Sequence, residues 1–211
     1  MEKWGLLVTG GDAPENLVLT GKRQEWYVVA ADSGLASADA WGIIPDLIVG
    51  DMDSVPPDLL NRYADTQLMK YPQDKDQTDT EIGLEALWDR GFREVTVAGG
   101  DGGRVDHFIG ILRIFERSRY PALWILKDYT LQVIDKDIEI PCQQGEEVSF
   151  FPSGSFPCRM GTRGLKWELT GLEWGPGDVG VSNVCTDSSI TIEVFSGRLL
   201  MVRQNRGILR L

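Results

Sequence analysis

The sequence predicts an α/β fold, a mostly parallel sheet flanked by helices, followed by a smaller all-β sandwich domain. Three observations carry this. Strand-like and helix-like segments alternate up to residue 127. The unusual residues Gly10-Gly11, Asp32, Asp51, Asp53 and Gly99 to Gly103 gather just after the strand-like segments. From residue 128 the helical spacing stops, and short β-branched or aromatic runs follow one another, punctuated by glycine and proline. The expected domains are therefore 1–127, α/β, and 128–211, all-β.

In chain order, Trp4 to Thr9 predicts a strand ending in Gly10-Gly11, and Trp26 to Ala31 a second ending in Asp32-Ser33-Gly34. Leu35, Ala38 and Trp41 share one side of a short helix stopped by Gly42. Leu47, Ile48 and Val49, bounded by Pro45 and Gly50, form the continuous apolar run of a strand buried on both faces. Pro56-Pro57 opens a helix carrying Leu59, Leu60 and Tyr63, and Thr66 to Tyr71 reads as the next strand. Thr78 and Glu81 form a capping box, which starts a helix at Asp79 and lets Gly91 stop it. Val95 to Ala98 is a strand, Phe108, Ile111, Leu112 and Phe115 line a helix, and Leu123 to Leu126 closes the series. Thr130 to Ile134, Ile138 to Ile140, Val148 to Phe151, Ile190 to Phe195 and Leu199 to Val202 read as strands of the sandwich. Ser196-Gly197 has the form of a two-residue hairpin turn between the last two.

Composition limits the function. A chain of 211 residues, 42% hydrophobic and 25% charged, has the balance of an ordinary globular protein. Its net charge of -11 argues against nucleic acid or anionic membrane as a partner, since both need a basic surface. A nucleotide stays open, because bound magnesium offsets an acidic site. Cys142, Cys158 and Cys185, with no C-x-x-C pair, suit a reducing compartment. His107 is the only histidine, which argues against a typical zinc enzyme. With no run of secretory or membrane-spanning length, a cytoplasmic protein is expected.

The chemistry centres on Asp46-Leu-Ile-Val-Gly-Asp-Met-Asp-Ser54. On an extended backbone Asp51 and Asp53 point the same way, above the carboxyl end of the sheet, where ligands of such folds bind. Two such acids repel unless a cation lies between them, and hard oxygen ligands suit magnesium. Asp79 is either a third carboxylate for that ion or an acid placed by the helix dipole, whereas Asp74 and Asp76 read as solvated loop acids. Gly99-Gly-Asp-Gly-Gly-Arg-Val-Asp-His107 is a strand-to-helix turn whose backbone N–H groups can approach phosphate oxygens. Arg104 offers a planar fork to a phosphate, and Asp106 is either a metal-site acid or the residue that orients Arg104. The spacing is neither a Walker A loop nor a G-x-G-x-x-G fingerprint, and His107 reads as structural.

Five segments in this order, ADSGLASADAWGIIPDLIVGDMDS, KDQTDTEIGLEAL, GGDGGRVDHFIGIL, GLKWEL and VSN, resemble the thiamine pyrophosphokinase family. The resemblance runs from the first strand to the last and implies a Rossmann-like first domain that binds ATP and magnesium. It implies transfer of the pyrophosphoryl group of ATP to the hydroxyl of thiamine, giving thiamine diphosphate and AMP. On this basis Asp51, Asp53 and Asp79 hold the metal and act in catalysis with Arg104, while Asp32, Thr78, Arg104 and Asp106 meet ATP. The second domain is implied to help bind thiamine and to form a homodimer, with Trp167 stacking on the pyrimidine and Ser182 and Asn183 hydrogen-bonding it. Ser33 and Gly110 depart from the family pattern, standing where glycine and asparagine are common. Two other readings remain open: a diphosphokinase for another heterocyclic alcohol of pterin type, and a non-catalytic nucleotide or vitamin sensor. The Asp-x-Asp pair alone also suits a magnesium phosphohydrolase.

Overall fold

The computed structural model describes residues 3–211 and contains two compact units. The first runs to Leu112 and takes in Pro121–Asp128 and Arg206–Leu211; the second is Arg113–Tyr120 with Tyr129–Asn205. The expected boundary at 127/128 thus lies beside a division at Asp128/Tyr129, with two further short segments exchanged between the units.

The first unit contains β1 (Trp4–Val8), β2 (Leu17–Val18), β3 (Trp26–Ala31), α1 (Gly34–Ala40), β4 (Leu47–Gly50), α2 (Pro57–Arg62), β5 (Gln67–Lys70), α3 (Asp79–Asp89), β6 (Val95–Ala98), most of α4 (Val105–Ile114) and β7 (Leu123–Ile125). Six strands pair in the order β7-β6-β1-β3-β4-β5, every pair parallel. Leu6, Leu7 and Val8 are fully buried, as are Val28 and Val29. A central parallel strand is covered on both faces, which is why these segments read as unbroken apolar runs. β1 lies between β3 and β6, so the order of connection reverses beside it and opens a crevice at the carboxyl ends. Thr9 Oγ1 and Thr80 Oγ1 share a buried 2.7 Å hydrogen bond that ties the start of α3 to the end of β1. Gly83 lets α3 lie close on the sheet, since a Cβ there would sit 2.4 Å from Leu7 Cδ1.

The second unit contains β8 (Tyr129–Ile134), β9 (Ile138–Pro141), β10 (Glu147–Pro152), β11 (Arg159–Arg163), β12 (Gly180–Val184), β13 (Ser189–Ser196) and β14 (Leu199–Gln204). Antiparallel pairs build one run, β12-β10-β14-β8, and a separate sheet, β11-β13-β9. Phe150, Met201 and Ile134 from the first pack with Ile190, Ile192 and Met160 from the second. This is the expected sandwich. One expectation is corrected: Ser196-Gly197 does not close a hairpin, because β13 and β14 belong to different sheets. The turn carries the chain across the sandwich, and Gly197, at φ +69°, leaves no room for a side chain against Cys158 Sγ. β15 (Leu209–Arg210) returns to the first unit and pairs parallel with β2.

Segment 113–120 joins the second unit through one buried cation. Arg198 Nη2 donates to the carbonyls of Phe115 at 2.8 Å and Arg117 at 2.6 Å, and its guanidinium lies 3.6 Å from the Tyr120 ring centroid. Ser153 Oγ donates to the same Phe115 carbonyl at 2.8 Å.

Candidate active site

Asp32 follows β3, and Asp51 and Asp53 follow β4, so adjacent parallel strands deliver three carboxylates to one edge. One oxygen from each lies within 4.8 Å of the others. Asp32 at φ 47° and Met52 at φ 67° take left-handed backbone that side chains disfavour, a cost tolerated where surrounding structure holds a functional turn. Asp53 N donates to Asp51 Oδ1 at 3.0 Å, Gln73 Nε2 to Asp53 Oδ2 at 2.9 Å, and Ser54 Oγ to Asp32 Oδ2.

The acids are not equivalent. The Asp53 backbone N–H holds the Asp51 carboxyl below its ordinary value, with smaller help from Lys75 and Lys70. The Asp51 side chain holds Asp53 above its ordinary value, with Asp32 and Asp79 adding to the repulsion. Burial raises Asp79, and Lys75 opposes that shift. The crowding is therefore electrostatic as well as spatial.

Asp79 opens α3 beside this group. Its Oδ1 forms an ion pair with Lys75 Nζ at 3.2 Å, and Lys75 Nζ also donates to the Pro72 carbonyl at 3.1 Å. Gly50 separates Asp79 from Asp32: a Cβ there would lie 3.2 Å from Asp79 Oδ1 and 3.2 Å from Asp32 Cβ. Gly50 also sits at φ +138°, so Gly50→Ala is expected to add strain of about 1–3 kcal/mol and displace both acids. Urea denaturation with a parallel activity assay checks this; unchanged stability and turnover would mean the cradle yields freely.

Thr78 caps α3 as expected: Thr78 N donates to Glu81 Oε2 at 2.9 Å, and Glu81 N donates to Thr78 Oγ1 at 3.2 Å. Arg104 and Asp106 face each other after β6, with Arg104 Nε to Asp106 Oδ1 at 3.1 Å and Nη2 to Oδ2 at 2.5 Å. The fork draws the Asp106 carboxyl down to about 2. Both side chains are exposed and bind each other.

The carboxylate trio fits a hard divalent cation. Its donors are all carboxylate oxygens that lie within 4.8 Å of one another, and Asp32 Oδ1 is buried without a hydrogen-bond partner. The sequence points to Asp51, Asp53 and Asp79 for the metal; the geometry groups Asp32 with the first two, and Asp79 Oδ1, also buried, lies 3.2 Å from Lys75 Nζ. Lys75, Gln73 and Ser54 were missed, because loop residues carry no periodicity that announces them.

The second unit holds the other predicted residues. Trp167 is 56% exposed and Lys166 Nζ lies 4.4 Å from its ring centroid, covering one face. Asn183 is buried beside it, and Ser182, at φ 59°, is exposed with its N–H on Ser149 Oγ at 3.1 Å. A cavity of about 420 Å³ is lined by Trp167, Leu172, Trp174, Val179, Val181 and Asn183 among others. Its walls combine these apolar and aromatic side chains with the acids Glu168, Glu173 and Asp178, so a ligand there would meet both apolar and polar surface.

An open parallel sheet with carboxylates converging at its carboxyl end, in one chain with a β-sandwich, defines an α/β protein with a candidate cation site and a separate β module. Comparison with known proteins narrows the class. Two family models match, thiamin pyrophosphokinase, catalytic domain, over residues 21–125, and thiamin pyrophosphokinase, vitamin B1 binding domain, over residues 134–199. The chain belongs to the thiamine pyrophosphokinase family. Thiamine pyrophosphokinase 2 of Arabidopsis thaliana is 32% identical over 74% of this chain, which spans 64% of that relative's length. Thiamine pyrophosphokinase of Bacillus subtilis is 27% identical over 93% of this chain and 96% of its own. The crystal structure of a thiamine pyrophosphokinase from Bacillus subtilis shares the fold, with a TM-score of 0.80 at 24% identity, over 97% of this chain and 100% of that one. Among the described residues, no helix is long and apolar enough to cross a membrane.

Proposed function

We propose that this chain is a thiamine pyrophosphokinase, transferring the pyrophosphoryl group of ATP to the hydroxyl of thiamine to yield thiamine diphosphate and AMP. The observation that carries the reading is the convergence of Asp32, Asp51 and Asp53 within 4.8 Å at the carboxyl edge of a family-matched catalytic domain. These three would hold magnesium, which when bound supplies charge neutralisation on the phosphates. Asp79, held by Lys75, extends the acidic wall. Thr78 keeps the first turn of α3 in place, and Arg104, released from Asp106, presents its fork to a phosphate oxygen. In-line attack of the hydroxyl on the β-phosphorus then depends on positioning and electrostatics. The hydroxyl proton passes to one of these acids.

The second unit is read as the thiamine module, with the free face of Trp167 stacking on the pyrimidine and Ser182 at the ring's edge. A homodimer in the cytoplasm is part of this reading. Purified protein given ATP, magnesium and thiamine is expected to form AMP and thiamine diphosphate in equal amounts. ADP with thiamine monophosphate would refute the phosphate register, and ATP hydrolysis indifferent to thiamine would make the protein a phosphohydrolase.

A further inference from the structure

Resting on the reading of the second unit as the thiamine module, we propose that Glu168 and Asn183 are positioning residues. They clamp the backbone around Trp167 and fix the plane on which the pyrimidine stacks. Trp167 lies between β11 and β12, outside any ladder, and is 56% exposed. Core packing does not set the orientation of this side chain, so the backbone, bridged just before it at Leu165–Cys185, does.

Beside the bond from Lys166 N to the Val184 carbonyl at 2.8 Å, side chains hold that backbone. Asn183 Oδ1 accepts from Trp167 N at 3.2 Å and from Val184 N at 2.8 Å, while Asn183 Nδ2 donates to Trp167 O at 2.7 Å. Both lone pairs of the amide oxygen are used, and one of its two N–H groups. Asn183 is also only 5% exposed, and its three bonds all go to the backbone of Trp167 and Val184.

Glu168 grips the turn from the other direction. Its Oε1 accepts from Gly164 N at 3.1 Å and Leu165 N at 3.2 Å, and its Oε2 from Thr162 Oγ1 at 2.6 Å. Thr162 Oγ1 accepts from Leu169 N at 2.8 Å, so carboxylate and hydroxyl close the turn before and after Trp167. Lys166 covers one ring face, and the clamps hold the other in a constant direction.

The test is a double-mutant cycle on the full chain, with thiamine dissociation constants from calorimetry. Glu168→Ala is expected to weaken thiamine binding about tenfold, the loss of charge-assisted hydrogen bonds that order the turn. Glu168→Gln, which keeps an oxygen for the two backbone N–H groups, is expected to stay within about twofold of the parent. The KM for ATP is expected to be unmoved. In the Trp167→Ala background, Glu168→Ala should add nothing, because the residue it positions is gone. Independent, additive losses would overturn the proposal, as would equal effects on thiamine and ATP. If Glu168→Ala does not fold, Asn183→Ala in the same cycle carries the test. Absence of thiamine binding by the unaltered chain would instead refute the parent reading, which the product assay decides separately.

Discussion

Asp51→Asn is expected to lower kcat about 10³-fold, the scale seen when one preorganised electrostatic contact is removed from a transition state. The Asp51 carboxyl is held below its ordinary value by the Asp53 N–H, while its own side chain raises Asp53. Asparagine keeps the Oδ1 that accepts from Asp53 N, so the turn survives and the loss falls on charge alone. Steady-state kinetics and magnesium titration by calorimetry check both halves: turnover and magnesium affinity fall together while the circular dichroism stays. Asp79→Asn is the comparison. It breaks the Lys75 pair but leaves the trio, so its magnesium affinity is expected to fall less than that of Asp51→Asn. An equal or greater loss at Asp79 would place that residue in the metal set.

Arg198→Ala is expected to destabilise the protein by about 3 kcal/mol, since buried carbonyls lose a charged donor and Tyr120 loses its stacked cation. For a chain of this size that corresponds to a fall of roughly 6–12 °C in Tm. Ser153 still serves the Phe115 carbonyl, but the Arg117 carbonyl loses the arginine. Arg198→Lys is expected to recover less than half, because an ammonium cannot span two carbonyls and also lie flat on a ring. Thermal denaturation measures the loss, and tryptic cleavage at Arg117 and Arg119 should accelerate as segment 113–120 is released. A loss below about 1 kcal/mol would mean that packing, not the guanidinium, holds the segment.

The acidic strand ends were legible because a buried parallel strand is apolar throughout, so the first charged residue after it marks its carboxyl end. Asp51, Asp53 and Asp32 were found in that way, and Thr78 by its capping spacing. Which acids share an ion was not legible, since that depends on β3 lying next to β4 and on the turn at Gly50. Lys75 lies outside any periodic element, and only the fold shows that its ammonium reaches Asp79.

In the second unit, alternation revealed most strands but neither β11 nor β12. β11 is five residues with a glycine at its centre, and β12 meets β10 through an irregular register. The hairpin expected at Ser196-Gly197 failed for a related reason: a two-residue turn states that the chain reverses, not which sheet receives it. Local sequence by itself determined the alternating α/β order, the strand ends that bear carboxylates, the cap of α3 and the change to β texture near residue 128. All of these follow from short-range periodicity and backbone chemistry. The tertiary structure alone decided the company of each acid, the transfer of 113–120 to the second unit and the clamps on Trp167, because each joins residues whose pairing no local period encodes.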